Sequence, residues 1–337
     1  YKRQLNNWSK RSVTLKLLSI GVLILILLIP TSMLTSLIYE RQGIRDEAIR
    51  EVSSKWGQKQ TVGGPVLSIP YTVWVKDEKG NSESQIRYAH FLPDKLDIAG
   101  VVSPEKRYRG IYVVVLYNAK LHIKGKFTSP DIQALNISES SFLFKDASVS
   151  LGIPDMIGIN NAIDFKTKDT LYSFNPGLRT HDIFSSGVSF DMNLDKSKAI
   201  DFEFDLDLNG SSSLQFLPFG KETTVALTSI WDSPSFEGSF LPDSREVSEN
   251  GFTANWKVLQ LNRNYPQQGT GTFVSGNTNS NNYDYDYGNV NSVNEASSFG
   301  VKLLLPIDEY QKTTRSVKYC VMSVSYTHLT LPTNREV

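Results

Sequence analysis

Four carboxylates alternate with apolar side chains in the segment AIDFEFDLDLNG, the most regular chemistry-bearing pattern in the chain. On a β-strand, Asp201, Glu203, Asp205 and Asp207 would share one face, because successive side chains point to opposite faces. A Ca²⁺ ion needs about six to eight oxygens converging at about 2.3–2.6 Å. Alternate residues on one strand lie about 7 Å apart and diverge. We therefore predict a solvated outer face, and a cation site is the weaker alternative.

Histidines and serines are the other side chains that could carry acid–base chemistry. His90 and His122 lie in strand-like segments, so we expect residues on a strand face rather than ligands. His181 precedes Asp182, but adjacent strand residues point to opposite faces, which favours a turn over an acid–base pair. Ser235, in WDSPSF, would need a neighbouring base to act as a nucleophile. The sequence places none near it.

Sequence signatures of common enzyme classes are missing. The chain has no G-x-S-x-G, H-E-x-x-H, C-x-x-C, Walker A or G-x-G-x-x-G pattern. Its single cysteine, Cys320, cannot form an intrachain disulfide. We expect a protein without enzymatic activity and predict no catalytic residue, no cofactor and no metal.

Residues 267–297 shift in composition to Gly, Asn, Ser and Tyr and read as a disordered surface loop. Tyr283, Tyr285 and Tyr287 could instead form a stacking platform for a sugar or peptide, since tyrosine offers rigid amphipathic area. Arg245, just beyond a turn, is a further candidate for an interaction surface. For both features the sequence favours an ordinary solvated surface.

An apolar segment near the N-terminus predicts how the rest of the chain is placed relative to the membrane. Residues 17–38 carry no charge over 22 residues, and as a helix they would cover roughly 33 Å, enough for a hydrocarbon core about 30 Å thick. Residues 1–16 contain five basic side chains and no acidic one, which favours a cytoplasmic N-terminus and an exported main domain. A cleaved signal peptide is the alternative, but the apolar run is long and no clear cleavage site precedes Glu40.

The remaining pattern predicts a mainly β protein. Apolar positions at helical spacing extend the membrane helix as an amphipathic helix over residues 39–56. Residues 57–310 then form a large β-rich, sandwich-like domain, which we expect in the periplasm. Its predicted strands are Val66–Val75, Ile86–Leu92, Tyr112–Phe127, Ile200–Leu208, Leu214–Leu217, Thr223–Trp231 and Phe252–Val258.

Composition limits the partners. The 337 residues carry 35 basic and 35 acidic side chains, which gives no reason to expect nucleic-acid binding. A mean hydropathy of -0.25 excludes a polytopic transporter within these residues. The expected partners are the lipid bilayer and envelope proteins or cell-wall components.

Several segments together resemble the CreD family of inner-membrane, cell envelope integrity proteins of Gram-negative bacteria. They are Thr61–Pro70 (TVGGPVLSIP), Arg107–Phe127, Leu214–Trp256 and Asp308–Tyr319. The resemblance implies one N-terminal span, a large periplasmic domain and several later spans. It also implies a role in a stress response that a two-component system controls according to nutrient state. It brings no catalytic residues with it.

The C-terminal residues depart from that pattern. Residues 311–324 look like the start of a second membrane span, whereas residues 325–337 supply polar residues where apolar ones should continue. We predict a non-native tail there. The first residue is Tyr1 rather than Met, which also suggests a fragment. We expect the later spans of the family to lie outside this sequence.

Three functions fit these features. The leading hypothesis is a non-enzymatic inner-membrane protein whose periplasmic β-rich domain maintains envelope integrity through protein or cell-wall contacts. The alternative is a periplasmic ligand-binding or sensor domain coupled to membrane spans outside this sequence. A hydrolase acting on envelope polymers is motivated by location alone and requires a nucleophile and a base in one pocket.

Overall fold

The computed structural model describes residues 13–76, 81–274 and 297–305, together with residues 319 and 326. One helix, α1, spans Val13–Ser53 and includes Pro30. Across the described ranges, no helix combines the length and the apolarity needed to cross a membrane. These residues divide into two compact units, one holding the helix up to Ile49 and the other running from Arg50 to Leu304.

The second unit is built from strands, and the described residues form seventeen of them. They are β1 (Gln60–Lys76), β2 (Ser82–Phe91), β3 (Lys95–Arg109), β4 (Tyr112–Phe127), β5 (Ala147–Gly152), β6 (Asp164–Thr167), β7 (Leu171–Ser173), β8 (Asn175–Pro176), β9 (Gly187–Met192), β10 (Ile200–Ser211), β11 (Ser213–Phe216), β12 (Glu222–Ser229), β13 (Pro234–Gly238), β14 (Ser244–Ser248), β15 (Gly251–Leu259), β16 (Gln268–Thr270) and β17 (Phe299–Leu303).

The strands form two mixed sheets. The nine-stranded sheet has the order β13-β17-β11-β1-β5-β9-β8, with β2 paired to β1 and β16 paired to β2. The eight-stranded sheet has the order β14-β15-β12-β3-β4-β10-β6-β7. Two pairs are parallel, β1 with β11 and β12 with β3. The predicted class, a mainly β protein that follows an N-terminal helix, is confirmed.

Alternation decides which face of each strand enters the core. On β10 the apolar side chains from Phe202 to Leu208 are buried, whereas the carboxylates between them are exposed or half-buried. Phe165 of β6 lies 5.0 Å from the ring of Phe202 and 5.1 Å from the ring of Phe190 on β9, centroid to centroid. Because β9 belongs to the nine-stranded sheet, these rings join the two sheets in one core.

The predicted solvated face of β10 is confirmed, and its carboxylates pair with side chains of the neighbouring strand. In the antiparallel register, Asp201 lies opposite Lys126 and Asp205 opposite His122. The first pair is 3.5 Å apart, and the second joins His122 Nδ1 to Asp205 Oδ1 at 2.8 Å. Opposite charges directly across strands stabilise an antiparallel pair. Within the part of the chain that the structure describes, no three His, Cys, Asp or Glu side chains form a metal-binding group.

The C-terminal turn of α1 is fixed onto the strands of its own unit. Arg109, at the end of β3, donates two hydrogen bonds to the Glu51 carboxylate, at 3.1 and 3.0 Å. Trp56 Nε1 donates to the carbonyl of Tyr117 on β4 at 3.2 Å. Gly57 follows with a φ of +144°, and a Cβ there would lie 2.5 Å from the Asn209 carbonyl oxygen. Glycine is therefore required where the chain leaves the helix and meets β10.

Candidate functional site

Of the residues that the sequence suggested as an interaction surface, the structure describes only Arg245. Tyr283, Tyr285 and Tyr287 lie outside the described residues. Arg245 is exposed on β14, at the edge of the eight-stranded sheet. Its guanidinium carbon lies 5.7 Å from the ring centroid of Phe236, which belongs to β13 at the edge of the other sheet. Arg245 thus covers an open edge of the core with a cation–π contact.

We expect Arg245→Ala to lower the free energy of unfolding by about 0.5–1 kcal/mol, the size of a cation–π contact at an exposed site. Chemical denaturation of the two proteins measures the difference. Glu246→Ala, one residue further along the same edge strand, is the control and should leave stability unchanged. A loss from Arg245→Ala no larger than the control's would contradict a structural role for this side chain.

A second cluster brings together a serine, a histidine and an aspartate that are distant in sequence. Ser68 of β1 and His90 of β2 lie directly opposite each other in the antiparallel register. Ser68 Oγ is 2.8 Å from His90 Nδ1, and His90 Nε2 is 3.0 Å from Asp182 Oδ2. Ser68 and His90 are buried, whereas the Asp182 side chain is 31% exposed. The carboxylate therefore forms the solvent end of the chain of hydrogen bonds, and the hydroxyl forms the inner end.

Two aromatic rings stack on the histidine. Tyr88 and Phe273 stack on the His90 imidazole with centroid distances of 6.5 and 6.1 Å. Phe273 is placed there by β16, in which Gly269 lies opposite His90 in the register with β2. A Cβ on Gly269 would lie 2.5 Å from the Phe273 ring. Glycine at this position lets the ring approach the strand.

The protonation pattern follows from the partners. The hydrogen bond from His90 lowers the pKa of the Asp182 carboxyl, a second one from Thr180 acts in the same direction, and partial burial opposes both. Asp182 is therefore ionised at neutral pH and only accepts hydrogen bonds, so His90 Nε2 carries a proton. In the neutral imidazole, Nδ1 is left to accept from the Ser68 hydroxyl.

The chemical types match those of a hydrolytic Ser–His–Asp triad, but the arrangement is reversed relative to solvent. A nucleophilic hydroxyl must reach substrate while the carboxylate behind it orients the histidine. Here the hydroxyl is the enclosed group, since Ser68 is 2% exposed. What the geometry supports is a buried hydrogen-bond chain that ties β1, β2 and the segment around Asp182 together.

The sequence favoured a turn at His181 and Asp182 over an acid–base pair, and it did not suggest the histidine that Asp182 contacts. That partner, His90, is 92 residues away. His181 is exposed in an irregular segment. The available signal was that Ser68 and His90 sit in strongly apolar strand segments, where a buried polar side chain requires a partner.

Acidification tests the Asp182 interaction. The folded-state pKa of Asp182 lies below the ordinary value of 3.8, so its contribution is complete above about pH 4 and is lost as pH falls through the folded pKa. We expect Asp182→Asn to have a shallower decline of unfolding free energy below pH 4 than the parent protein. Urea denaturation at several pH values measures it, with Asp169→Asn, at an exposed position, as the control. Parallel declines for Asp182→Asn and the parent would contradict the assignment.

The architecture defines the class first: a mainly β domain of two mixed sheets that follows a long N-terminal helix in the chain. Residues 12–332 match the family model described as Inner membrane protein CreD, so the chain belongs to the CreD family of inner-membrane proteins. The chain is 28% identical over 324 residues to the inner membrane protein CreD of Escherichia coli (strain K12). That alignment covers 93% of this chain and 67% of the relative. The resemblance seen in the sequence is thereby confirmed.

Proposed function

We propose that this inner-membrane protein is not an enzyme and that its β-rich domain supports cell envelope integrity through contacts with envelope proteins or cell-wall components. The observation that carries the proposal is the CreD family match, because it covers the helix and the β-rich unit together. The enclosed Ser68 hydroxyl supports a non-enzymatic role, since it leaves the cluster with the most suggestive chemistry without access for a substrate.

The proposed topology places the β-rich domain in the periplasm. Residues 17–38 are proposed as the membrane span on their sequence alone, because they are uncharged over a length that suits a bilayer; the described part of α1 does not by itself support a span. The five basic side chains before them favour a cytoplasmic N-terminus. A domain on the outer side can reach the cell wall and other envelope proteins directly.

Site-directed labelling tests this topology. In a Cys320→Ser background, Lys124→Cys places one thiol on the exposed face of β4, and Lys10→Cys places one before the proposed span. A membrane-impermeant maleimide added to cells with a permeabilised outer membrane should label position 124 at once and position 10 only after lysis. The opposite pattern would overturn the proposed orientation.

A ligand-binding or sensor domain is the second candidate, and one observation favours it. The nine-stranded sheet carries a polar groove of about 500 Å³ on its outer face, a volume within the usual range for small-ligand sites. A sensor should change its crosslinking partners when its ligand is added. A domain that acts by constitutive contacts should keep them.

A further inference from the structure

The groove crosses four adjacent strands of the nine-stranded sheet. In register, Thr61 of β1, Gln215 of β11, Gly300 of β17 and Glu237 of β13 form one row across the sheet. A neighbouring row runs through Ser213, Lys302 and Ser235. The opposite faces of the same strands carry core side chains such as Phe216 and Phe299. The groove therefore lies on the outer face of a well-packed part of the sheet. The pairing of the strands fixes the positions of the residues at its base.

Two connecting segments form a wall beside the base of the groove. One runs from Gly152, the last residue of β5, to Pro154, and residues 184–186 of the other precede β9. Phe184 is the aromatic residue in the wall, but it is 4% exposed, and its ring packs against Phe219 with a centroid distance of 5.8 Å. A sugar ring therefore finds no open aromatic face on this wall to stack against.

Most of the polar side chains that line the groove can donate hydrogen bonds, and Glu237 is the acidic exception among those that the structure describes. The Lys59 ammonium has no ion-pair partner among the residues that the structure describes, and Thr61 and Ser213 line the same groove. Gln215 accepts a hydrogen bond from Ser298 Oγ at its Oε1 atom, 3.0 Å away, which leaves its amide N–H groups for a ligand. A cation beside groups that can donate hydrogen bonds favours a ligand with a carboxylate and carbonyl oxygens.

The far end of the groove has the opposite charge. Glu237 on β13 is held only loosely by Lys302, at 3.9 Å. From β1 to β13 the sheet crosses three strand spacings, roughly 14 Å at about 4.8 Å each. An extended peptide of about four residues covers that distance at about 3.3 Å per residue. Its free carboxylate would meet Lys59, and its amino group would meet Glu237.

We propose that this groove binds a short extended peptide with a free carboxylate. The carboxylate lies against Lys59 and Ser213, and the peptide carbonyls accept from Gln215 and Thr61. The inference rests on the proposed function in that it names the class of cell-wall or protein component that the domain contacts. Peptide binding is measured on the protein alone. If the peptide does not bind, the proposed envelope role and the proposed orientation are still decided by the crosslinking and labelling experiments.

The test uses the full chain in detergent micelles, with the zwitterionic peptide tetra-alanine as the probe and saturation-transfer NMR as the readout. We expect saturable binding of tetra-alanine and markedly weaker binding of its C-terminal amide, which lacks the carboxylate. Lys59→Gln should weaken binding of the acid by about tenfold, because a charge-assisted hydrogen bond is lost. Gln215→Glu, which is isosteric and places a negative charge in the groove, should weaken it at least as much.

Lys124→Gln is the matched control, because it removes one exposed lysine from the eight-stranded sheet. It should leave the affinity within about twofold, since distant exposed charges are screened by salt. The proposal is overturned if the acid and the amide bind equally, if neither binds at millimolar concentration, or if Lys59→Gln and Lys124→Gln have the same effect. Displacement of the peptide by chitotetraose would also overturn it, because a glycan would then be the ligand.

Discussion

Phe165→Ala is expected to lower the free energy of unfolding by about 3–5 kcal/mol, the cost of truncating a fully buried aromatic side chain. Phe165 is 0% exposed. Its ring contacts those of Phe174, Phe190, Phe202 and Phe204 at centroid distances between 5.0 and 6.1 Å. Because these partners come from both sheets, the space left by the ring cannot be filled by a shift of one strand.

Leu171→Ala is the control for that substitution. Leu171 lies on β7, which pairs with β6, but it is 59% exposed. We expect a loss of no more than about 0.5 kcal/mol, as for most surface substitutions. Urea denaturation followed by tryptophan fluorescence measures both variants. Similar losses for the two would contradict a core that joins the sheets at Phe165.

His90→Ala should lower the free energy of unfolding by about 2–4 kcal/mol. The substitution removes a hydrogen-bond partner from Ser68, which is buried, and from Asp182, which is half-buried. A buried polar group left without a partner costs about 1–3 kcal/mol. The stacking contacts of Tyr88 and Phe273 with the imidazole are also lost.

His122→Ala provides a matched comparison, because His122 also pairs with an aspartate on a strand. His122 Nδ1 lies 2.8 Å from Asp205 Oδ1, but both side chains are exposed, at 48% and 87%. An exposed pair contributes about 0–1 kcal/mol. The difference between the two histidine variants therefore measures what burial adds. Equal losses would show that the Ser68, His90 and Asp182 cluster contributes no more than a surface ion pair.

Local pattern was sufficient to predict the strands that alternate cleanly. Tyr112–Phe127 was predicted with the bounds that β4 has, and Ile200–Leu208 lies within β10. The chain shows few helical patterns beyond residue 57, which is why the mainly β class could also be predicted. In each case the period-two alternation and the β-branched or aromatic content agree with the strand that the structure shows and with the side of it that is buried.

Strands that break the local rules were missed. β3 contains Gly100 and Pro104, residues that normally argue against a strand. Gly100 is needed there, because a Cβ would lie 2.5 Å from the Leu121 side chain. Pro104 lies beyond Val102, where the pairing with β12 ends, so β3 has one open side at that point. Packing from other strands overrides the local signal in both places.

Contacts between segments that are distant in sequence could not be predicted from the local sequence pattern. The groove depends on the parallel pairing of β1 with β11, which brings Thr61 beside Gln215. The cover that Arg245 gives to Phe236 depends on which strands form the two sheet edges. Neither strand order nor sheet edges can be deduced from alternation within one strand.

The measurement that tests the central claim most directly is crosslinking in intact cells. The full chain and a variant lacking residues 57–304 are crosslinked, purified through the same tag and compared by mass spectrometry. If the β-rich domain acts through envelope contacts, the full chain should capture envelope proteins or cell-wall fragments that the shortened variant loses. An unchanged set of partners would contradict the account, because the contacts would then belong to the rest of the chain.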